Sequence, residues 1–218
     1  MIKVLLVDDH ELVRIGIRRL LQDETGIKVV GEAATGEEAV TLAKELIPDV
    51  VLMDVQMPGI GGLEAARKML RYNPEIKILA LTVHFDEPYP SRFLQAGAAG
   101  YITKDCGAAE MIRAIRTVNA GQRYLSPEIA QQLALKRFSK DEKSPLDILS
   151  ERELQIMVMI TSGQKVQEIS DKLCLSPKTV NSYRYRIFEK MGVNSDVELT
   201  LLAMRLGLVE GANKTTSE

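Results

Sequence analysis

Apolar residues in the first half of the chain fall into short, nearly continuous runs. Lys3–Val7, Lys28–Ala33, Val50–Met53, Ile76–Thr82 and Gly100–Thr103 are rich in Val, Ile and Leu, which predicts strands. Between them Glu11–Gln22, Gly36–Glu45, Gly61–Leu70, Pro88–Gln95 and Ala108–Ala120 carry apolar positions at helical spacing. Strands that are apolar throughout are buried on both faces. With a helix after each, they predict an α/β doubly wound domain around a five-stranded parallel sheet, ending near residue 121. Ligands of such sheets bind outside the carboxyl ends of the strands, so the chemistry is expected in the residues that follow each strand.

The pattern then changes. Residues 122–147 read as a linker carrying a helical segment that begins after Ser126-Pro127; its last part, Phe138–Asp147, is polar, charged and broken by Pro145. From residue 148 to 208 no strand signal remains, which predicts a small all-α domain. Ser150 and Glu153 form a capping-box pair opening a helix to about Ser162, and Gly163 stops it. Val166–Leu173 is a short second helix. Ser176 as N-cap with Pro177 at the first helical position starts a third, to Met191, and Asp196–Leu206 is the fourth. Residues 209–218 read as a flexible tail.

Composition narrows the class. With 45% hydrophobic and 27% charged residues the 218-residue chain is globular and long enough for two domains. No apolar run is long enough to span a bilayer, and the N-terminal run meets Asp8 and Asp9 without a cleavage site. Cys106 and Cys174 fall in different predicted domains, so no structural disulfide is expected and the cytoplasm is the expected location. The net charge of −2 gives no support to nucleic-acid binding, which would have to rest on a local basic patch.

Asp8 and Asp9 follow the first strand, Asp54 the third, Thr82 closes the fourth and Lys104 follows the fifth. The strand pattern gathers these five on one edge of the sheet. Three close carboxylates need a compensating cation, and hard oxygen donors suit Mg²⁺. Lys104 adds a positive charge and Thr82 a hydroxyl donor, a set that would neutralise a phosphoryl group in transfer to a carboxylate nucleophile. Asp54, alone at its strand end, is the better nucleophile. The adjacent Asp8 and Asp9 suit a metal, and the turn at Met57-Pro58-Gly59 offers the Gln56 carbonyl as a further ligand. Singly, each of these residues also reads as a helix cap or a solvated charge. His10 reads as a helix-start residue and His84 as a loop residue near the site.

In the second half, Val166–Leu173, a turn and Pro177–Met191 have helix-turn-helix spacing, although four amphipathic helices also describe an interaction bundle. Pro177–Met191 carries Lys178, Arg184, Arg186 and Lys190 against Glu189 alone. Asn181, Ser182 and Tyr185 lie on one side of that helix, and Val180, Ile187 and Met191 on the core side.

Val7-Asp8-Asp9-His10, Leu52–Gly59, Leu81-Thr82 and Gly100–Lys104 together resemble the signature of two-component receiver domains, which have a flavodoxin-like fold. The resemblance covers the first ~120 residues in order. It implies that Asp54 accepts phosphate from a sensor histidine kinase, that Asp8, Asp9, Asp54 and the Gln56 carbonyl bind Mg²⁺, and that Thr82 and Tyr101 form a switch pair. Asp105 stands where many receivers have Pro. Leu149–Glu153, Glu168-Ile169-Ser170, Leu175–Val180 and Lys190–Val193 resemble the LuxR-type helix-turn-helix, and the two together resemble the NarL/FixJ class of response regulators. That resemblance implies base contacts from Asn181, Ser182 and Tyr185, and phosphate contacts from Lys178, Thr179 and Arg184, with Arg186 in the same DNA-binding segment. It also implies a dimer contact on the last helix through Val197, Leu201 and Met204, although packing within the domain accounts for these three at least as well.

Within the class, the chain with its Tyr183-Arg184-Tyr185-Arg186 segment resembles one group of regulators of Gram-negative bacteria. This implies a hybrid kinase acting through a phosphotransfer histidine, and promoters of small regulatory RNA genes as targets. A receiver that covers the Pro177–Met191 helix until Asp54 is phosphorylated is the expected coupling. Two other readings remain open: a Mg²⁺-dependent aspartyl phosphatase, and a receiver acting only through protein contacts. Phosphatases with an Asp nucleophile place a second Asp two residues on, where this chain has Gln56, so an enzyme is not expected beyond slow autodephosphorylation.

Overall fold

The structure is a computed structural model and describes residues 1–82, 89–138, 145–206 and 208. Among these the chain separates into two compact units, one holding residues up to 138 and the other those from 145. Pro88, His84, residues 139–144 of the predicted linker and the 209–218 tail lie outside the described residues.

The first unit is a parallel sheet with helices on both faces. Its elements are β1 (Ile2–Val7), α1 (Glu11–Gln22), β2 (Ile27–Ala33), α2 (Gly36–Leu46), β3 (Val50–Asp54), α3 (Gly61–Tyr72), β4 (Lys77–Thr82), α4 (Tyr89–Gln95), β5 (Gly100–Thr103) and α5 (Ala108–Asn119). The order in the sheet is β2-β1-β3-β4-β5, the doubly wound arrangement whose strand order reverses between β1 and β3. Burial explains the continuous apolar runs: β3 and β5 are buried at every position. One face packs Leu5, Val51, Met53, Ile78 and Ala80 against Ala39, Ala43, Ala66, Met69 and Phe93 of α2, α3 and α4. The other packs Val4, Leu6, Leu52, Leu79 and Ile102 against Ile17, Leu21, Met111, Ile115 and Val118 of α1 and α5.

The sheet continues past residue 121. Tyr124–Leu125 forms a sixth parallel strand, β6, paired with Gly100 and Tyr101, and α6 (Pro127–Phe138) follows it. Ile129 of α6 is fully buried in the α2–α4 core, so this helix belongs to the first unit. A two-residue strand carries no periodicity, which is why five strands were predicted. Pro145–Ile148, of which the first three residues read as linker, is a 3₁₀ turn in the second unit, and Leu146 and Leu149 are buried there.

The second unit holds α7 (Glu151–Thr161), α8 (Val166–Leu173), α9 (Pro177–Met191) and α10 (Asp196–Arg205). Serines cap three of these four helices. Ser150 and Glu153 make the reciprocal capping box, Ser176 Oγ accepts from the Thr179 amide at 3.1 Å, and Ser195 Oγ accepts from the Glu198 amide. Gly192, at φ 66°, ends α9 in the left-handed conformation that glycine adopts without steric cost. Among the described residues no helix is long and apolar enough to cross a membrane, and both cysteines are free.

One close approach controls the carboxyl end of β3. A Cβ on Gly62, at the start of α3, would lie 2.0 Å from the Asp54 carbonyl oxygen and 3.2 Å from that of Val55. Backbone, not a movable side chain, occupies that space. Gly62→Ala is therefore expected to destabilise the first unit by about 1–3 kcal/mol, as overpacking does. Urea denaturation followed by circular dichroism checks this, and an unchanged midpoint would show that β3 and α3 can separate freely.

Candidate functional site

β1, β3, β4 and β5 all end on the same edge of the sheet, and the residues that follow them converge. Lys104 Nζ lies 2.6 Å from Asp8 Oδ2 and 2.8 Å from Asp54 Oδ2, bridging strands that are neighbours only through the parallel topology. Lys104 is held from behind, its amide donating to the Thr82 carbonyl at 2.6 Å. Asp54 Oδ1 accepts from the Gln56 amide at 3.1 Å. Asp8 and Asp54 are buried, whereas Asp9 is exposed at the rim.

These surroundings set the charge states. Burial, opposed by the Lys104 ammonium and reinforced by Asp8, pushes the Asp54 carboxyl up from 3.8 to about 7. Burial works against the charge on Lys104 as well, but Asp54 and Asp8 outweigh it and hold this lysine above its ordinary range. One ammonium thus offsets part of the cost of two buried carboxylates and leaves a surplus of negative charge.

A divalent cation fits that surplus. One donor atom from each of Asp8, Asp9, His10 and Asp54 lies within 4.8 Å of all the others. The predicted metal residues Asp8, Asp9 and Asp54 are therefore together, and the set is oxygen-rich, as hard cations require. Of Gln56 the structure shows the amide bond to Asp54; its carbonyl makes no described contact.

Two neighbours have no part in the site on the sequence reading. His10 Nδ1 is 3.2 Å from Asp8 Oδ1 and 2.9 Å from Asp9 Oδ1, besides opening α1 as predicted. Arg14 donates from Nη1 to the Asp8 carbonyl at 2.6 Å. The sequence shows His10 beside the acidic pair, but with no second His or Cys near in the pattern to suggest zinc it reads as a helix start. Arg14 carried no signal, because any helix surface has arginines.

The predicted switch residues take defined places. Thr82 is buried at the end of β4, paired in register with Thr103. Tyr101 is completely buried, edge-on to Phe93 with ring centroids 5.9 Å apart, and its carbonyl accepts from the Ser126 amide. The aromatic ring thus fills the core beneath α4 while its backbone anchors the entry to α6.

In the second unit, α8 and α9 are joined by a turn in which Cys174 adopts φ 51° and Ser170 Oγ donates to the Leu175 carbonyl at 2.6 Å. Val180 and Ile187 of α9 are buried as expected; Met191 is only partly so. Lys178, Ser182, Tyr185 and Arg186 are exposed, and Thr179 and Asn181 half-buried. The basic face is smaller than the sequence implied. Arg184 makes a two-pronged ion pair with Asp196 at 2.7 Å on each arm and stacks over Phe188. Lys190 reaches the buried Glu153 at 2.6 Å. Both charges tie α9 to its own unit, and among the described residues Lys178 and Arg186 are the cations of the helix outside a described ion pair, Arg186 lying over the Tyr183 ring. On α10 Val197, Leu201 and Met204 are all exposed, at 69%, 51% and 40%, so packing within the unit leaves a large part of each uncovered.

Comparison with known proteins agrees with this division. The response regulator receiver domain family matches residues 4–116, and the bacterial regulatory proteins of the luxR family match residues 147–203. The response regulator GacA of Pseudomonas syringae pv. syringae is 66% identical over 97% of this chain and all of its own length. The response regulator UvrY of Escherichia coli K12 is 60% identical over 95% of this chain and 96% of its own. Among solved structures, the response regulator ChrA of a heme-sensing two-component system superposes with a TM-score of 0.53 at 33% identity, covering 95% of this chain and 98% of its own. The response regulator RcsB bound to DNA gives 0.58 at 25% identity over 92% of this chain and 96% of its own. The chain belongs to the two-component response regulators that combine a receiver with a LuxR-type DNA-binding domain, a family of transcription regulators.

Proposed function

We propose that Asp54 accepts a phosphoryl group from a histidine of a sensor kinase system, and that this modification controls promoter binding through α9. The observation that carries the reading is the Lys104 ammonium shared between Asp8 and Asp54. An Asp54 oxygen attacks phosphorus as the bond to the donor imidazole breaks, and the new acyl phosphate brings oxygens that need cations. Lys104 stands ready to pair with one of them. Mg²⁺ held by Asp8, Asp9, Asp54 and the Gln56 carbonyl would supply the remaining positive charge. Gln56 has no acid or base to activate water, so autodephosphorylation is slow.

The receiver role is assigned to residues 1–121 and DNA reading to 148–208; of the segment 122–147 between them, β6 and α6 extend the first unit and residues 145–147 open the second. Thr82 and Tyr101 form the switch: the hydroxyl turns to the phosphate and the ring takes the space released. In α9, Asn181, Ser182 and Tyr185 read base edges while Lys178, Thr179 and Arg186 hold phosphates. Arg184, proposed from the sequence as a phosphate contact, has its fork committed to Asp196 and is assigned instead to setting α9 against α10. The exposed Val197, Leu201 and Met204 make the contact of a homodimer on a two-fold DNA site. The protein works in the cytoplasm without a membrane. It receives phosphate from a hybrid kinase through a phosphotransfer histidine, and activates small regulatory RNA genes.

Burial of Asp54 predicts a pH effect on stability. A carboxyl raised from 3.8 to about 7 contributes stability that is complete below pH 3.8 and is lost as pH rises through 7. In EDTA at pH 8, Asp54→Asn should therefore be more stable than wild type by about 1–3 kcal/mol, the gain shrinking toward pH 5. Thermal unfolding at both pH values decides this, and a variant less stable at pH 8 would contradict it.

Binding to promoter duplexes tests the function. With a small-molecule phosphodonor and Mg²⁺, wild type should bind more tightly and Asp54→Asn should show no stimulation. Lys178→Ala should weaken binding to all sequences and lower the salt slope by about 1, whereas Asn181→Ala should relax base preference. Equal stimulation of wild type and Asp54→Asn, or no affinity for any duplex, would overturn the reading.

A further inference from the structure

His10 begins α1, yet its side chain makes no capping hydrogen bond to the helix. The ring turns back over the acidic pair instead, with Nδ1 2.9 Å from Asp9 Oδ1 and 3.2 Å from Asp8 Oδ1. Asp8 is thereby flanked on both oxygens: Oδ2 faces the Lys104 ammonium and Oδ1 faces the imidazole. The donor atoms of Asp8, Asp9, His10 and Asp54 span no more than 4.8 Å. An octahedral ion with bonds of about 2.1 Å holds opposite donors roughly 4.2 Å apart, so small adjustments bring all four into one coordination sphere. The His10 side chain is 64% exposed and can make its adjustment without disturbing the core.

We propose that His10 is a fourth protein ligand that gives this site a preference for borderline first-row ions such as Co²⁺, Ni²⁺ or Zn²⁺ over Mg²⁺. The proposal rests on reading the acidic cluster as a cation site. Three carboxylates alone are a hard oxygen set suited to Mg²⁺, which keeps its waters and gains little from a nitrogen donor. An imidazole widens the gap in affinities, because nitrogen suits the later ions of the first row and adds little for Mg²⁺. The competing role for the ring is that of a counter-charge, in which a protonated His10 pairs with Asp8 and Asp9 and repels every cation alike. The two roles differ in what removing the ring does. Loss of a ligand weakens nitrogen-preferring ions and spares Mg²⁺, whereas loss of a counter-charge strengthens all divalent ions together.

The test uses the full, untagged chain, so that its only histidines are His10 and His84. Titration calorimetry with Mg²⁺ and with Co²⁺, and the visible spectrum of the Co²⁺ form, are recorded for wild type, His10→Asn, His84→Asn and Asp54→Asn. His10→Asn should lose about tenfold or more in Co²⁺ affinity, shift the Co²⁺ bands, and keep its Mg²⁺ affinity within about threefold. His84→Asn, altered in a segment outside the described residues, should change neither. Equal effects of His10→Asn on both ions, an unchanged Co²⁺ affinity or spectrum, or a loss confined to His84→Asn would overturn the assignment to His10. A wild type that binds no Mg²⁺, or binds it as well after Asp54→Asn, would overturn the cation-site reading together with it.

Discussion

One largely covered ammonium holds the receiver's chemistry in place. Lys104 sits between Asp8 and Asp54, two carboxylates taken out of water at the ends of adjacent parallel strands. Alone, either carboxylate would cost several kcal/mol to bury as an anion. The pairing is available only because β1, β3 and β5 run in the same direction and end together. Parallel topology in turn requires both faces to be covered, which the alternating helices do. Fold and site therefore depend on each other through one cation.

That cation does not balance the site. Asp54 remains pushed toward neutrality, with Asp8 adding to the burial effect, so the site is short of positive charge before any phosphoryl group arrives. A divalent ion would relieve the deficit, and on the proposed reading a phosphoryl group would add oxygens for Lys104 and that ion to share. Thr82 lies buried at the next strand end and Tyr101 in the core beside it, so a change in charge at Asp54 meets packed side chains at once. Such packing has few intermediate arrangements, which favours a two-state response.

Much of this was legible in the chain itself. The continuous apolar runs, the residues at their ends, the capping serines and Pro177 each have a local physical cause, and they appear as predicted. β6 was not legible, because two residues of strand leave no period to read. The reduced basic face of α9 was not legible either. Counting charges cannot tell that Arg184 is committed to Asp196 and Lys190 to Glu153, since both partnerships join separate helices. His10 was read as a helix start, and it is one; that its ring serves the acidic pair required the backbone path from β1 into α1. The exposure of Val197, Leu201 and Met204 needed the packing of the neighbouring helices to be known.

The most direct measurement identifies the residue that carries the phosphoryl group. The full chain is treated with a small phosphodonor and Mg²⁺, the acyl phosphate is reduced with borohydride, and the modified residue is located by peptide mass spectrometry. A single modification at Asp54, with Asp8 and Asp9 unmodified, is the predicted result. Modification at another residue, or equal modification of the Asp54→Asn protein, would contradict it.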